Sequence, residues 1–356
     1  MKILYVGESW LGSCARSLRE ALARNPGVVL DEINEEAFLP KHRAKWLRGV
    51  HRLLGPQYRL ELGDAIVSRV QRLQPDVVMT YKGNPIDAAL LRRIKQTLPG
   101  VLTVNVYPDC SPHAHGAGHR EAVGEYDLVI STKPYHPEAW ATIYGYRNAC
   151  RFVPQGYDPA LHLVDQPSAT AELDLAMVAT WRPEYHRLML GLARELAESA
   201  ITVGIGGHGW AAHAGDFPAH WYLPGELTGR AYIQFLRSGR ICIAPLNREM
   251  NIKGQIHPGD VDTTRSYELA AAHCFFLHQR TPYIQTIYDE SSEVPLFDDA
   301  AELATHVRDF MRRPDDRAAF ALRAHSRAVP DYSMDARAGT IIDEVAAFRA
   351  RQAVTA

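Results

Sequence analysis

No apolar run in this chain approaches the roughly 18 residues needed to cross a bilayer. The chain opens on a strand-like stretch, Lys2 to Gly7, that runs straight into Glu8, so neither a signal peptide nor a membrane span is expected and the protein is assigned to the cytoplasm. Cysteine is sparse. Cys14, Cys110, Cys150, Cys242 and Cys274 are odd in number, scattered and mostly set in apolar runs, which argues against a disulfide framework and for a reducing compartment. Charge of one sign is lacking as well: the formal net charge is −2, with 20 Lys and Arg against 17 Asp and Glu in residues 1–165 and 19 against 24 in the rest, so neither part is basic enough for general nucleic-acid binding. No fixed-period repeat and no low-complexity tract is present, which removes solenoid and disordered classes. Gly7 and Gly12 fit neither a Gly-x-Gly-x-x-Gly fingerprint nor a phosphate loop.

What is there is ordinary globular material, 356 residues with 46% hydrophobic and 22% charged, enough for two α/β domains of about 150 to 180 residues each. Strand-like runs at 2–7, 28–33, 76–81, 102–107, 128–132 and 151–154 alternate with helical patterns, which predicts parallel βαβ units. A polar, Pro-containing stretch at 163–170 reads as a linker. After it, strands at 173–179, 201–205, 241–245, 274–277 and 294–297 alternate with helices at 184–198, 229–237, 264–272, 300–311 and 314–325. The predicted architecture is α/β, with two facing Rossmann-like domains (1–165 and 166–333) and a last helix within 334–356. Ligands of such sheets bind outside the carboxyl ends of the strands, in a cleft at the switch points, so loop residues after strands carry the chemistry.

The most informative segment runs from Gly259 to His278. Asp262, Thr263 and Thr264 offer N-cap oxygens, 267–272 are good helix formers, and 274–277 read as a buried strand. Glu268 then lies in the opening of a helix, where a carboxylate can grip a ribose, and free N–H groups with Arg265 favour a diphosphate. Arg182 and Arg187 open the helix after the first strand of the second domain, Gly207 and His208 sit in a glycine-dense strand end where a nucleotide can approach backbone, and Lys253 lies in a long loop, 247–258. In the first domain the loop from Gly7 through Gly12 to Ser13 allows close approach of an acceptor or phosphates, or is an ordinary tight turn. Asp109, at a strand end, and His115 are the candidates for a general base. His113 with His115, and His119 as a third, also suggest the metal-ligand pair of a hydrolase, though no downstream His and Asp constellation completes it. From Lys41 to Leu54, Trp46, Leu47, Val50, Leu53 and Leu54 recur at helical spacing opposite basic positions; the face packs on its own domain or meets an anionic membrane or lipid-diphosphate acceptor.

These residues carry a resemblance. Thr264-x-x-x-Glu268 with Arg265, the following 274–277 strand, the 296–303 strand-helix step and 314–317 leading to the last helix are similar to the donor domain of GT-B glycosyltransferases, in particular the CgeB-like (spore maturation protein) branch, in which Thr264 also belongs to the donor site. Asp260 and Glu268 stand eight apart, resembling the Glu-x7-Glu signature of retaining members with aspartate in the first place. The resemblance implies an N-terminal acceptor domain, a C-terminal donor domain and a last helix that crosses back to the first. It implies transfer of a sugar from a nucleotide-diphosphate sugar to a glycan, lipid-linked or other acceptor hydroxyl in cell-envelope polysaccharide synthesis, with no cofactor and no obligatory metal. Glu268 is then the ribose ligand, Arg182, Arg187, Lys253 and Arg265 the diphosphate cations, and Asp109 or His115 the groups facing the acceptor. A nucleotide-sugar epimerase shares the architecture and stands as the alternative, as does a non-catalytic sensor.

Overall fold

The computed structural model describes residues 1–38, 45–167 and 171–355, without the side chains of 45–52, 354 and 355. Two compact units are present: 1–154 with 252–255 and 335–356, and 155–251 with 256–334.

In the first unit, β1 (Lys2–Gly7), β2 (Val29–Asn34), β3 (Val77–Tyr81), β4 (Leu102–Tyr107), β5 (Leu128–Ser131) and β6 (Ala149–Phe152) form one parallel sheet in the order β2-β1-β3-β4-β5-β6. Its central strands are near-continuous apolar runs because helices cover both faces: every residue of β4 and β5 is buried. The helices are α1 (Cys14–Arg24), α2 (Lys45–Leu73), α3 (Ala88–Thr97), α4 (Ala117–Glu125) and α5 (His136–Thr142). Ser13 caps α1 and Asp87 caps α3, each accepting from a backbone N–H of the first turn. The chain leaves β1 toward β2 on one side and returns to β3 on the other, so the switch point lies between β1 and β3. Of the expected basic helix from Lys41 to Leu54, residues 41–44 lie outside the described residues and α2 carries the rest, with Leu53 83% exposed.

The second unit repeats the scheme with β7 (Leu173–Val178), β8 (Val203–Gly206), β9 (Tyr222–Gly225), β10 (Gly239–Ala244), β13 (Phe276–Gln279) and β14 (Leu296–Phe297), ordered β14-β13-β10-β7-β8-β9. Between β10 and β13 lie β11 (Glu249–Ile252) and β12 (Gln255–Pro258), a two-stranded hairpin. The helices are α6 (Pro159–His162), α7 (Pro183–Glu195), α8 (Gly229–Arg237), α9 (Arg265–Ala271), α10 (Ile284–Ile287), α11 (Ala300–Met311) and α12 (Pro314–Asp331). Proline at the first helical position starts α7 and α12, where the missing N–H is not needed. Two apolar clusters, one on each face of the sheet, form the core: Met177, Met189, Ile243 and Leu277 on one side, Val178, Leu236, Phe276 and Leu296 on the other. The switch point here is between β7 and β10.

The last helix, α13 (Met334–Thr355), joins the first unit from Asp335 onward. Three ion pairs fix it there: Arg24 with Asp335 (2.6 Å), Arg349 with Asp76 (2.9 Å) and Glu344 with Arg151 (3.6 Å).

Candidate functional site

Each sheet gathers charged side chains at the carboxyl ends of the strands that flank its switch point. In the second unit the loop after β10 leads through the hairpin to α9, and Arg265, the first residue of α9, lies back over the sheet. Its Nη2 donates to Pro245 O (3.0 Å), just past β10, and its Nη1 points to Val178 O (3.4 Å), the last residue of β7. The guanidinium also lies 5.9 Å from the Tyr185 ring of α7. It therefore spans the two strands on either side of the switch point. Burial works against its charge, but Tyr185, Tyr232 and Glu268 around it outweigh that and raise its pKa above the ordinary arginine value.

One turn further on, Glu268 is buried at 7% exposure. Its Oε2 accepts a hydrogen bond from Tyr232 Oη of α8 (2.6 Å), and its Oε1 lies 3.7 Å from His162 Nε2 of α6. The carboxylate joins three helices, a use of Glu268 that the sequence pattern did not suggest. The tyrosine sits thirty-six residues upstream, with no local spacing to betray it.

The expected cap of α9 is different from the observed one. Thr264 stands at the N-cap but its side chain makes no capping hydrogen bond, and Asp262 accepts instead from Tyr267 Oη (2.7 Å). The α9 turn closes on backbone, Glu268 N to Thr264 O at 2.9 Å, and on Ser266 Oγ, which accepts from Thr263 N (3.0 Å). The expected long loop at 247–258 is also corrected, since it forms the β11–β12 hairpin. Lys253 and Gly254 make its turn, both left-handed (φ 52° and 87°), as a two-residue hairpin turn requires. Lys253 is thus exposed at a hairpin tip. Asp260 follows the hairpin, its N–H bonded to Asn247 O (2.7 Å).

Gly207, after β8, has φ 127°, and a Cβ there would lie 1.9 Å from Ala179 O. That oxygen accepts from the buried Trp210 Nε1 (2.7 Å), so backbone and indole are packed where only glycine fits. His208 is exposed and its carbonyl accepts from Trp181 N (2.8 Å). Arg182 and Arg187 are both exposed at the start of α7, Arg187 beside Glu184 (3.6 Å).

Among the described residues, one group of three side chains has metal-ligand chemistry: His186 of α7 with His213 and Asp216, their ligand atoms all within 4.8 Å. Trp181 Nε1 donates to His186 Nδ1 (3.0 Å), and an indole N–H can only donate. His186 Nε2 lies 3.3 Å from Asp216 Oδ2 without making a hydrogen bond to it. His213, stacked on Trp181 at 4.4 Å, reaches the same oxygen (3.3 Å).

In the first unit Gly12 (φ 99°) turns the chain after β1, and the Ser13 hydroxyl accepts from Arg16 N (3.1 Å). Gly7 serves packing: a Cβ there would meet Tyr5 Cε1 at 3.2 Å and Ala15 Cβ at 3.3 Å. Beyond β4, Asp109 Oδ2 lies 2.9 Å from His115 Nε2 and 2.9 Å from Lys82 Nζ, which follows β3. Burial raises the Asp109 pKa, but the His115 ring and the Lys82 ammonium overcome it and hold the carboxyl well below the usual carboxylate range. Lys82 was missed in the sequence, although a lysine directly after a buried strand, before Gly83, is a signal of the kind used for Asp109. His119 of α4 is buried, edge-on to His115 at 4.7 Å, and burial with that neighbour pushes its pKa down to about 4. His113 turns elsewhere, its ring edge on Tyr144 at 5.4 Å. The suggested His113 and His115 metal pair is therefore not assembled: no described group of three ligands includes either ring.

Comparison with known proteins agrees with this architecture. Residues 182–343 match the family model described as glycosyl transferase-like. No match was found among curated protein sequences. Among solved structures, sucrose-phosphate synthase from Thermosynechococcus elongatus superposes with a TM-score of 0.66 at 12% identity, covering 98% of this chain and 99% of that one. HepE of Anabaena, solved with UDP and glucose, gives 0.63 at 13% identity over 98% and 100%. AviGT4, a glycosyltransferase involved in avilamycin A biosynthesis, gives 0.60 at 14% identity over 98% of each chain. The fold is that of GT-B glycosyltransferases, and with a glycosyl transferase-like match in its second unit the chain is a transferase enzyme.

Proposed function

We propose that this protein moves a sugar from a nucleotide-diphosphate sugar to the hydroxyl of a glycan or lipid-linked acceptor, without an obligatory metal. The observation that carries the reading is Arg265, a guanidinium laid across the ends of β7 and β10 at the switch point of the glycosyl transferase-like unit. Glycosyl transfer develops negative charge on the departing diphosphate, and a fixed cation at that point stabilises the leaving group as the bond breaks. Arg182 and Arg187 at the start of α7 are further cations for the diphosphate. Glu268 is the ribose acceptor in this reading, its orientation set by Tyr232.

On the acceptor side, Asp109 is too weak a base to take a hydroxyl proton, because its neighbours hold it ionised. That leaves His115 as the base candidate in this reading, its Nε2 2.9 Å from Asp109 Oδ2. A fold shared with HepE, which was solved with UDP-glucose, makes UDP the first nucleotide to try. The test is a thermal-shift screen of UDP, GDP, dTDP, ADP and CMP, followed by a transfer assay with the matching sugar nucleotides. A rise in melting temperature with one nucleoside diphosphate is expected; no response to any of the five refutes the donor assignment.

A further inference from the structure

We propose that an open pocket of about 190 Å³ at the amino ends of β10 and β13 binds a phosphate group, carried by inorganic phosphate or by a small phosphate monoester. The pocket lies wholly within the second unit, and the inference does not depend on the glycosyl-transfer reading. It is at the opposite end of the sheet from Arg265. That side chain bonds to Pro245 O, just past the last residue of β10, whereas the pocket is lined by Gly239 and Arg240, the first two residues of the strand. Six residues of strand separate the two ends by about 20 Å.

Three arginines and a histidine converge on it: Arg237 from the last turn of α8, Arg240, Arg317 from the start of α12, and His273 between α9 and β13. Among the described residues no carboxylate lines the pocket. Asp174 pairs with Arg240 Nη1, and its other oxygen already accepts from Thr202 N (2.9 Å) and Thr202 Oγ1 (3.1 Å). Arg237 and Arg317 bond carbonyls instead, Arg237 Nη2 to Gln166 O (2.8 Å) and Arg317 Nη1 to Phe310 O and Met311 O (3.3 Å) at the end of α11. Arg237 Nε is buried without a hydrogen-bond partner, and so is Nδ1 of His273, a residue only 9% exposed. Asp315 and Asp316, beside Arg317 in sequence, are exposed and face away from the pocket lining. Burial, then Arg240, lowers the Arg317 pKa against the pull of Asp174, and burial, then His325 and Arg237, lowers that of His273. The cations thus disfavour one another, and a pocket walled by one sign of charge concentrates an ion of the other.

The backbone holds His273 in place at a cost. It follows the α9 C-cap with φ 57°, a left-handed position where glycine or asparagine is usual. Such a conformation persists where the surroundings over-determine it. Here His273 N donates to Ala270 O (3.1 Å), and the ring stacks on His325 at 4.5 Å, whose Nδ1 lies 3.1 Å from the same carbonyl oxygen. Guanidinium forks without carboxylate partners suit a tetrahedral anion, and a phosphate monoester is doubly charged above about pH 6. Phe275 and Ala321, both buried, add apolar lining for the organic part of an ester. The pocket is smaller than the roughly 300 Å³ at which sites for drug-sized ligands begin, so the ester must be small.

The test uses the full chain. Calorimetric titration with sodium phosphate and, separately, with glucose 6-phosphate, each against sodium chloride at matched ionic strength, is expected to show saturable binding of at least one phosphate and none of chloride. Tighter binding of the sugar phosphate identifies an ester as the ligand, and equal or tighter binding of inorganic phosphate identifies the bare group. Arg237→Gln is expected to weaken binding about tenfold or more, Arg237→Lys less, and Arg265→Met, at the other end of the sheet, to leave it unchanged. Phosphate binding no different from chloride, unchanged in Arg237→Gln, or lost in Arg265→Met overturns the proposal. The His273 ring of the wild type gives a readout that needs no variant: its NMR titration is expected to move to higher pH when phosphate is added. A titration curve unchanged by phosphate overturns the proposal even if both Arg237 variants fail to fold.

Discussion

Replacing Arg265 by Met keeps most of the aliphatic stem that fills the space between β7 and β10 and deletes the guanidinium. The side chain makes two contacts with carbonyl oxygens, 3.0 Å to Pro245 O and 3.4 Å to Val178 O, and only the first is of good hydrogen-bond length. On the proposed function it also donates to the diphosphate, and a hydrogen bond involving a charged group contributes about 1.5 to 3 kcal/mol. At about 1.4 kcal/mol per decade, the nucleoside diphosphate should bind about tenfold to 150-fold more weakly. Folding should suffer less, about 1 to 2 kcal/mol for the Pro245 carbonyl that loses its donor, or a few degrees in Tm. Titration calorimetry with the nucleotide selected by the thermal screen measures the first quantity, and a melting curve of the free protein measures the second. Arg265→Lys restores the charge without the planar fork and should fall between the two. A nucleotide Kd unchanged within about twofold in Arg265→Met refutes the placement of the diphosphate at this switch point.

Glu268→Gln keeps the shape of a side chain that accepts from Tyr232 Oη at 2.6 Å, and Tyr232→Phe removes the donor; on the ribose reading the first weakens nucleotide binding by about tenfold or more, while the second mainly lowers Tm. A double-mutant cycle followed by calorimetry and melting separates the two roles, and equal affinity in wild type and Glu268→Gln removes the ribose contact. Gly207→Ala places a Cβ 1.9 Å from Ala179 O at φ 127°, so a loss of about 3 kcal/mol or more is expected, with altered Trp210 fluorescence as its indole loses Ala179 O; a Tm within about one degree of wild type contradicts the geometry. His136 in the first unit and His278 in the second are fully buried, and burial first of all pushes each pKa down to about 4. Their folded values lie below the unfolded one of about 6.5, so the unfolded chain binds more protons between the two and stability is lost as pH falls from about 6.5 toward 4. Urea unfolding at pH 7 and pH 5 should differ by on the order of 1 to 2 kcal/mol for each ring, and a midpoint insensitive to pH in this range rules the effect out.

Much of the fold was legible because burial on both faces of a parallel sheet writes itself as short apolar runs. Lys2–Gly7 and Leu102–Tyr107 are such runs, and Gly229–Arg237 and Ala300–Met311 follow the helical period. The edge strand Tyr222–Gly225 was missed because Pro224 and Gly225 read as a turn, and proline is tolerated only at such an edge. The β11–β12 hairpin was missed for a related reason: its strands are short and polar, with little apolar alternation to reveal them.

By itself the sequence determined the α/β class, the alternation of strands and helices, and which residues close the strands at their carboxyl ends, since each of these depends on neighbours within a few positions. Only tertiary structure decided that Arg265 bridges two strands, that Tyr232 and His162 meet Glu268, and that Lys82 and His115 share one oxygen of Asp109. Those partners come from different βα units, and their approach is fixed by strand order, which no local spacing records.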